Sequence, residues 1–61
     1  MKIKILKNIP VLKKYKPVVG ETYEVSKVDY LPNSKRVHLY FININGEDVG
    51  IYPIECEVVE E

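Results

Sequence analysis

The sequence predicts a small all-β domain, and three observations lead there. Residues 1–6 alternate lysine with isoleucine at the period of two that marks a half-buried strand. Asn45-Gly46 stands between two apolar runs, and this dipeptide supplies the two positive-φ residues that a tight hairpin turn requires. No stretch repeats apolar residues at helical spacing over a useful length, and no internal repeat or low-complexity segment interrupts the pattern. At 61 residues the chain is one domain, 1–61, and its 46% hydrophobic and 30% charged composition belongs to a foldable globular chain.

In residues 1–6, Ile3 and Ile5 are expected to face inward. Residues 7–20 form a long irregular loop, because Pro10 and Pro17 break any helix and bias Ile9 and Lys16 toward extended backbone. Ile9, Val11, Leu12, Val18 and Val19 make this loop apolar, so it is expected to lie on the core. Residues 21–30 read as a second strand whose apolar phase moves from Tyr23 and Val25 to Val28 and Tyr30. A phase change of one residue requires a bulge or bend near Ser26-Lys27. Leu31, Pro32, Asn33, Ser34 and Lys35 have turn composition.

Residues 37–44 and 48–52 flank Asn45-Gly46 as the third and fourth strands. For a two- or four-residue loop, parity places Val37, Leu39, Phe41, Gly50 and Tyr52 on one face, with His38, Tyr40, Ile42, Val49 and Ile51 on the other. Both faces are apolar, which points to a second layer or to a partner molecule, and 61 residues supply hardly enough chain for two layers. Tyr40, Ile42, Val49 and Ile51 are therefore candidate contacts for a protein partner or a second copy of the chain. The alternative is that the long loop covers them. Pro53, Ile54, Glu55 and Cys56 read as a short turn of 3₁₀ type before a last strand at 57–60.

Charge is balanced in total and divided in position. Residues 1–20 hold six lysines and no acid, whereas residues 21–61 hold all nine acids against Lys27, Lys35 and Arg36. Pairing of the first strand with the last would set Lys2 and Lys4 against Glu57, Glu60 or Glu61. Lys13, Lys14, Tyr15 and Lys16 are left without an internal partner. Three lysines around an aromatic ring are the elements of a weak phosphate clamp with a stacking platform. The zero net charge argues against a dedicated nucleic-acid binder.

Catalytic and cofactor chemistry finds no constellation. His38 and Cys56 are the only His and Cys, no base marks Cys56 as a nucleophile, and Gly20, Gly46 and Gly50 are too isolated to form a phosphate loop. One His and one Cys do not make a metal site, so no metal and no cofactor are expected. A lone cysteine excludes a disulfide framework, and no apolar run approaches membrane-span length or the core of a signal peptide. A cytoplasmic location is the resulting expectation.

Five short strands, a long loop after the first, a tight hairpin and a single turn before the last strand resemble an SH3-like barrel. Gly50-Ile51-Tyr52-Pro53 resembles the Gly-apolar-apolar-Pro pattern that ends the fourth SH3 strand, and Val19-Gly20-Glu21-Thr22 resembles the turn that introduces the second. The resemblance implies a five-stranded SH3-like barrel with a long loop after strand 1 and one 3₁₀ turn before the last strand. It covers nearly the whole chain through short motifs shared by many unrelated proteins. The Ala-Leu-Tyr-Asp-Tyr segment is missing, there is no tryptophan, and Cys56 stands where a tyrosine is expected. Of the aromatic groove that receives Pro-rich peptides, only Pro53 and Tyr15 have counterparts. The Lys/Ile opening and the Cys-Glu-Val-Val-Glu close also resemble short uncharacterised proteins of phages and prophages. The expectation is a non-enzymatic intracellular binding module with a protein partner. The alternative is a weak RNA- or DNA-binding barrel, similar to the KOW type, acting through residues 13–16.

Overall fold

The computed structural model describes residues 1–61 and contains six strands: β1 (Lys2–Ile5), β2 (Thr22–Glu24), β3 (Lys27–Tyr30), β4 (Val37–Ile44), β5 (Glu47–Ile51) and β6 (Cys56–Glu60). They form two antiparallel three-stranded sheets, ordered β2-β1-β6 and β3-β4-β5. Single 3₁₀ turns occupy Lys13–Tyr15 and Pro53–Glu55. No helix is long and apolar enough to cross a membrane.

Six strands replace the expected five because residues 21–30 change sheets. The Val25 N–H donates to the Met1 carbonyl at 2.9 Å, beside β1, while the Ser26 N–H donates to the Phe41 carbonyl at 2.8 Å, beside β4. Two consecutive amides thus serve different sheets. The predicted phase change is this corner, which lets Tyr23, Val25 and Val28 all pack on the core. No ladder joins the two sheets, so the β structure is not a closed barrel.

The hairpin forms as the dipeptide dictates. Asn45 and Gly46 have φ of 51° and 86°, the two left-handed residues of a type I′ turn, and Ile44 pairs with Glu47 directly across it. The Gly46 N–H also donates to Asn43 Oδ1 at 3.1 Å. A second glycine turn closes the long loop. The Glu21 N–H donates to the Val18 carbonyl at 3.1 Å, with Gly20 at φ 92°, the third-position geometry of a type II turn. The Gly20 N–H then reaches the Ile5 carbonyl at 2.7 Å, returning the chain to β1.

Before β6 the 3₁₀ turn is fixed from both ends. The Tyr52 N–H donates to Glu55 Oε1 at 2.9 Å, and the Glu55 N–H donates to the Tyr52 carbonyl at 2.9 Å. The Glu55 carbonyl in turn accepts the Leu6 N–H at 2.9 Å. β1 pairs with β6 as the charge layout predicts: Lys2 lies opposite Glu60 with Nζ to Oε2 at 3.8 Å, and Lys4 lies opposite Glu57.

Between the sheets lies one core of Ile3, Ile5, Ile9, Tyr40, Ile42, Val49, Ile51 and Cys56. Ile3, Ile5, Ile42 and Ile51 have no exposed surface, and burial of each contributes about 1.5–3 kcal/mol. From Tyr40 onward the parity assignment is borne out by the pairs Tyr40–Ile51, Phe41–Gly50 and Ile42–Val49. It fails at the start of β4, where the register shifts opposite Asp29 and Tyr30, Val37 packs on the core and His38 meets Tyr52. Its functional reading needs correction. Tyr40, Ile42, Val49 and Ile51 pack with Ile3 and Ile5 in one core, so they form no open face for a partner, and of the four only Val49, at 5% exposure, borders a surface groove. Sixty-one residues do suffice for two layers, because each sheet has only three short strands.

The long loop follows its prediction only in part. Ile9 and Pro17 are buried and Tyr15 packs against the core, but Val11, Leu12, Val18 and Val19 remain exposed. The sheet containing β1, more than the loop, covers the inner face of the hairpin. The accessible surface of 4417 Å² is close to the roughly 4,100 Å² that area scaling gives for this mass.

Candidate functional site

The site is an open groove of about 370 Å³ between the long loop and the edge of the hairpin. Val11, Leu12 and Tyr15 form one wall, and Glu47, Asp48, Val49 and Gly50 of β5 form the other. The loop wall is held in place by three anchors. Ile9 and Pro17 are sunk in the interior on either side of it, and Pro17 keeps Lys16 extended at φ −85°, ψ 120°. Between them the Lys13–Tyr15 turn closes through the Tyr15 N–H to the Leu12 carbonyl at 2.9 Å and the Lys16 N–H to the Lys13 carbonyl at 3.2 Å. The third anchor crosses the groove end, where Asn45 Nδ2 donates to the Lys14 carbonyl. Beyond Pro17, the Tyr23 hydroxyl accepts the Val18 N–H at 2.8 Å and holds the returning limb of the loop.

The other wall is the free edge of its sheet. In the order β3-β4-β5 only one side of β5 is paired. The Phe41 carbonyl accepts from Ser26 and so points toward β3, which makes Phe41–Gly50 a pair without mutual hydrogen bonds. By alternation Asn43–Asp48 is another. The N–H and C=O groups of Asp48 and Gly50 accordingly point away from β4, into the groove, and take part in no hydrogen bond outside the ladders. Leu12, at 68% exposure, is the largest uncovered apolar side chain of the wall opposite.

Electrostatically the groove is two-sided. Glu47 and Asp48 are exposed and form no ion pair, the two ion pairs of the chain being the Met1 amino group with Glu24 and Lys2 with Glu60. Lys13, Lys14 and Lys16 are likewise unpaired, as the charge layout anticipates. Tyr15 is less available than its neighbours. Its ring packs against the core, and Lys14 Nζ lies 4.9 Å from the ring centroid. Pro53 is exposed at the start of the second 3₁₀ turn and does not line the groove with Tyr15, so the two counterparts of an SH3 peptide groove are not brought together.

The remaining chemistry-bearing residues lie elsewhere. His38 meets Tyr52 edge to face, with ring centroids 5.8 Å apart and an interplanar angle of 81°. Cys56 is a buried, unpaired thiol with Sγ 3.7 Å from the Tyr52 carbonyl. Burial, and then the Glu55 carboxylate, pushes its pKa above the ordinary value. Such a thiol is poorly ionised and behaves as a small hydrophobe. Burial also raises the Tyr40 hydroxyl, with smaller contributions from Cys56, Tyr30 and Glu61.

Of the residues singled out in the sequence, the groove gathers Tyr15 and Val49. Lys13 and Lys14 share the 3₁₀ turn of Tyr15, and Lys16 follows it directly. Val11, Leu12, Glu47, Asp48 and Gly50 carry the groove and escape the sequence reading. A signal for β5 is nonetheless present: the last strand of a hairpin with no strand predicted beside it has an open edge, and Glu47-Asp48 directly follows the turn. No family model, curated protein or solved structure matches the chain.

Proposed function

We propose that this chain is a small non-enzymatic binding module of the cell interior, and that its partner is a protein segment received between the long loop and β5. The observation that supports this reading is the groove itself. An exposed apolar wall, Val11 and Leu12, stands across from unpaired carboxylates on Glu47 and Asp48. Apolar contact area beside a charged rim is the ordinary composition of a protein contact. The proposal includes an SH3-like arrangement of the strands. It is supported by the long loop after β1, the corner at Val25-Ser26 and the 3₁₀ turn before β6.

Selection from a random peptide library on the immobilised chain tests the reading. Enrichment of peptides that combine apolar and basic residues, lost with the double variant Leu12→Asp, Asp48→Lys, is the expected result. Enrichment that is indifferent to these substitutions, or none at all, overturns it. Both side chains are exposed, so the variant keeps the fold.

A second reading rests on Lys13, Lys14 and Lys16, which hold no ion pair. Short single-stranded RNA and duplex DNA, titrated at low salt, would shift the amides of residues 13–16 in a salt-sensitive way if these lysines meet phosphates. The protein reading is favoured because the Tyr15 ring, needed for base stacking, is already packed on the core and covered by Lys14.

A further inference from the structure

We infer that the groove recognises its partner by strand addition: an extended segment of alternating apolar and basic residues pairs with the free edge of β5. The inference rests on the protein-binding reading above and specifies its mode. Four edge strands exist in the two sheets, namely β2, β6, β3 and β5. Charged residues, a common guard on such edges, stand on all four, Glu47 and Asp48 of β5 included, so charge alone does not single one out. A second groove, lined by Tyr30, Ser34 and Lys35, touches edge strand β3 only at its end. By contrast, β5 runs beside the apolar wall of Val11, Leu12 and Tyr15, with its free main-chain groups at Asp48 and Gly50 lining the space between. Asp48 and Gly50 present two N–H donors and two C=O acceptors at the two-residue spacing of a β ladder. A strand laid along them satisfies all four groups, and main-chain pairing is what gives such complexes their affinity.

The side-chain pattern follows from the same geometry. Val49 points into the core, where Tyr15 packs, so a partner residue on that side of the sheet meets Val11, Leu12 and Tyr15 and must be apolar. Its neighbours point to the opposite side, the side of Asp48 and Gly50, where the Asp48 carboxylate has no counter-ion and selects a basic residue. Gly50 adds no side chain there, and Leu39 and Phe41 close over it, within 3.3–3.4 Å of where a Cβ would sit; this apolar surface can carry the stem of a lysine or arginine. A second copy of the chain fits less well. An antiparallel β5–β5 pair sets each Asp48 opposite Gly50 of the other copy and each Glu47 opposite Ile51, and since β5 has no basic residue, neither carboxylate gains a counter-ion.

The test uses isotope-labelled full-length chain and a short capped peptide of alternating valine and lysine, with two further versions N-methylated on all valines or on all lysines. Shifts at Val11, Leu12, Tyr15 and residues 47–50, slowed exchange of the Asp48 and Gly50 amides, and loss of binding by at least about tenfold with one N-methylated version but not the other are expected. Only one alternate set of peptide amides faces β5. Peptide binding in the groove with no gain in amide protection, and with neither or both N-methylated versions weakened, overturns strand addition and leaves the protein-binding reading standing. Failure of the peptide to shift any groove residue at millimolar concentration, while the library selection still yields binders, overturns the alternating pattern. Failure of both experiments overturns the reading and the inference together. Concentration-dependent protection of Asp48 and Gly50 before any peptide is added assigns the edge to a second copy and overturns the proposal.

Discussion

The side-chain amide of Asn45 donates to the main-chain carbonyl of Lys14 at 2.6 Å, across 31 positions of sequence. One turn residue therefore does two things: its positive φ closes the hairpin, and its amide ties the hairpin tip to the long loop. Asn45→Gly separates them, because glycine keeps the left-handed conformation and removes the donor. Loss of about 1 kcal/mol is expected, a fall in melting temperature of about 4–8 °C for a domain of this size, together with faster amide exchange over residues 12–16. Unchanged exchange in that segment would show that the tether does not hold the groove wall.

Gly46 has φ of 86° and nothing within 4 Å of where a Cβ would sit, so any effect of substitution comes from the backbone alone. Gly46→Val is expected to cost about 1 kcal/mol or more, since a β-branched residue resists the left-handed region. Gly46→Asn should cost less, because asparagine tolerates it. Equal denaturant midpoints for the two variants would contradict the type I′ assignment.

Core and surface can be separated by placing one charge in each. Val49 is 5% exposed inside the isoleucine cluster and Leu12 is 68% exposed, yet both line the groove. Val49→Lys buries an unpaired ammonium and should abolish the dispersed amide spectrum. Leu12→Lys should leave stability within about 0.5 kcal/mol and alter only binding. A folded, soluble Val49→Lys chain would return Val49 to the list of partner contacts.

The elements that sequence could reveal are those fixed by neighbours in the chain. Asn45-Gly46 carries its own φ preference, Lys-Ile alternation carries its own face, and Pro53 marks its own turn, so hairpin, first strand and 3₁₀ turn are legible locally. The shift of apolar phase across Ser26 is legible too, but whether it bends one strand or moves the chain to another sheet depends on Met1 and Phe41, which lie far away in sequence. The face of Tyr40, Ile42, Val49 and Ile51 is plain from parity, whereas its cover is not, because β1 reaches it only through tertiary packing. For the same reason the groove is illegible: it is the space left over when Ile9 and Pro17 bury and Val11 and Leu12 do not.

Alkaline stability follows from Cys56 and Tyr40, both of which ionise less readily in the fold than outside it. The folded chain holds its proton longer, so between the unfolded and the folded pKa the unfolded state binds fewer protons and stability falls as pH rises. The contribution is complete below the ordinary cysteine value of 9.0, declines above it, and declines again above the ordinary tyrosine value of 10.0. Urea midpoints measured from neutral to strongly alkaline pH should therefore drop in that range. Cys56→Ala removes the earlier part of the drop and Tyr40→Phe the later part, since neither replacement can ionise. A midpoint independent of pH through this window in the unmodified chain would mean that the thiol and the phenol reach solvent, and that the two sheets do not close over them.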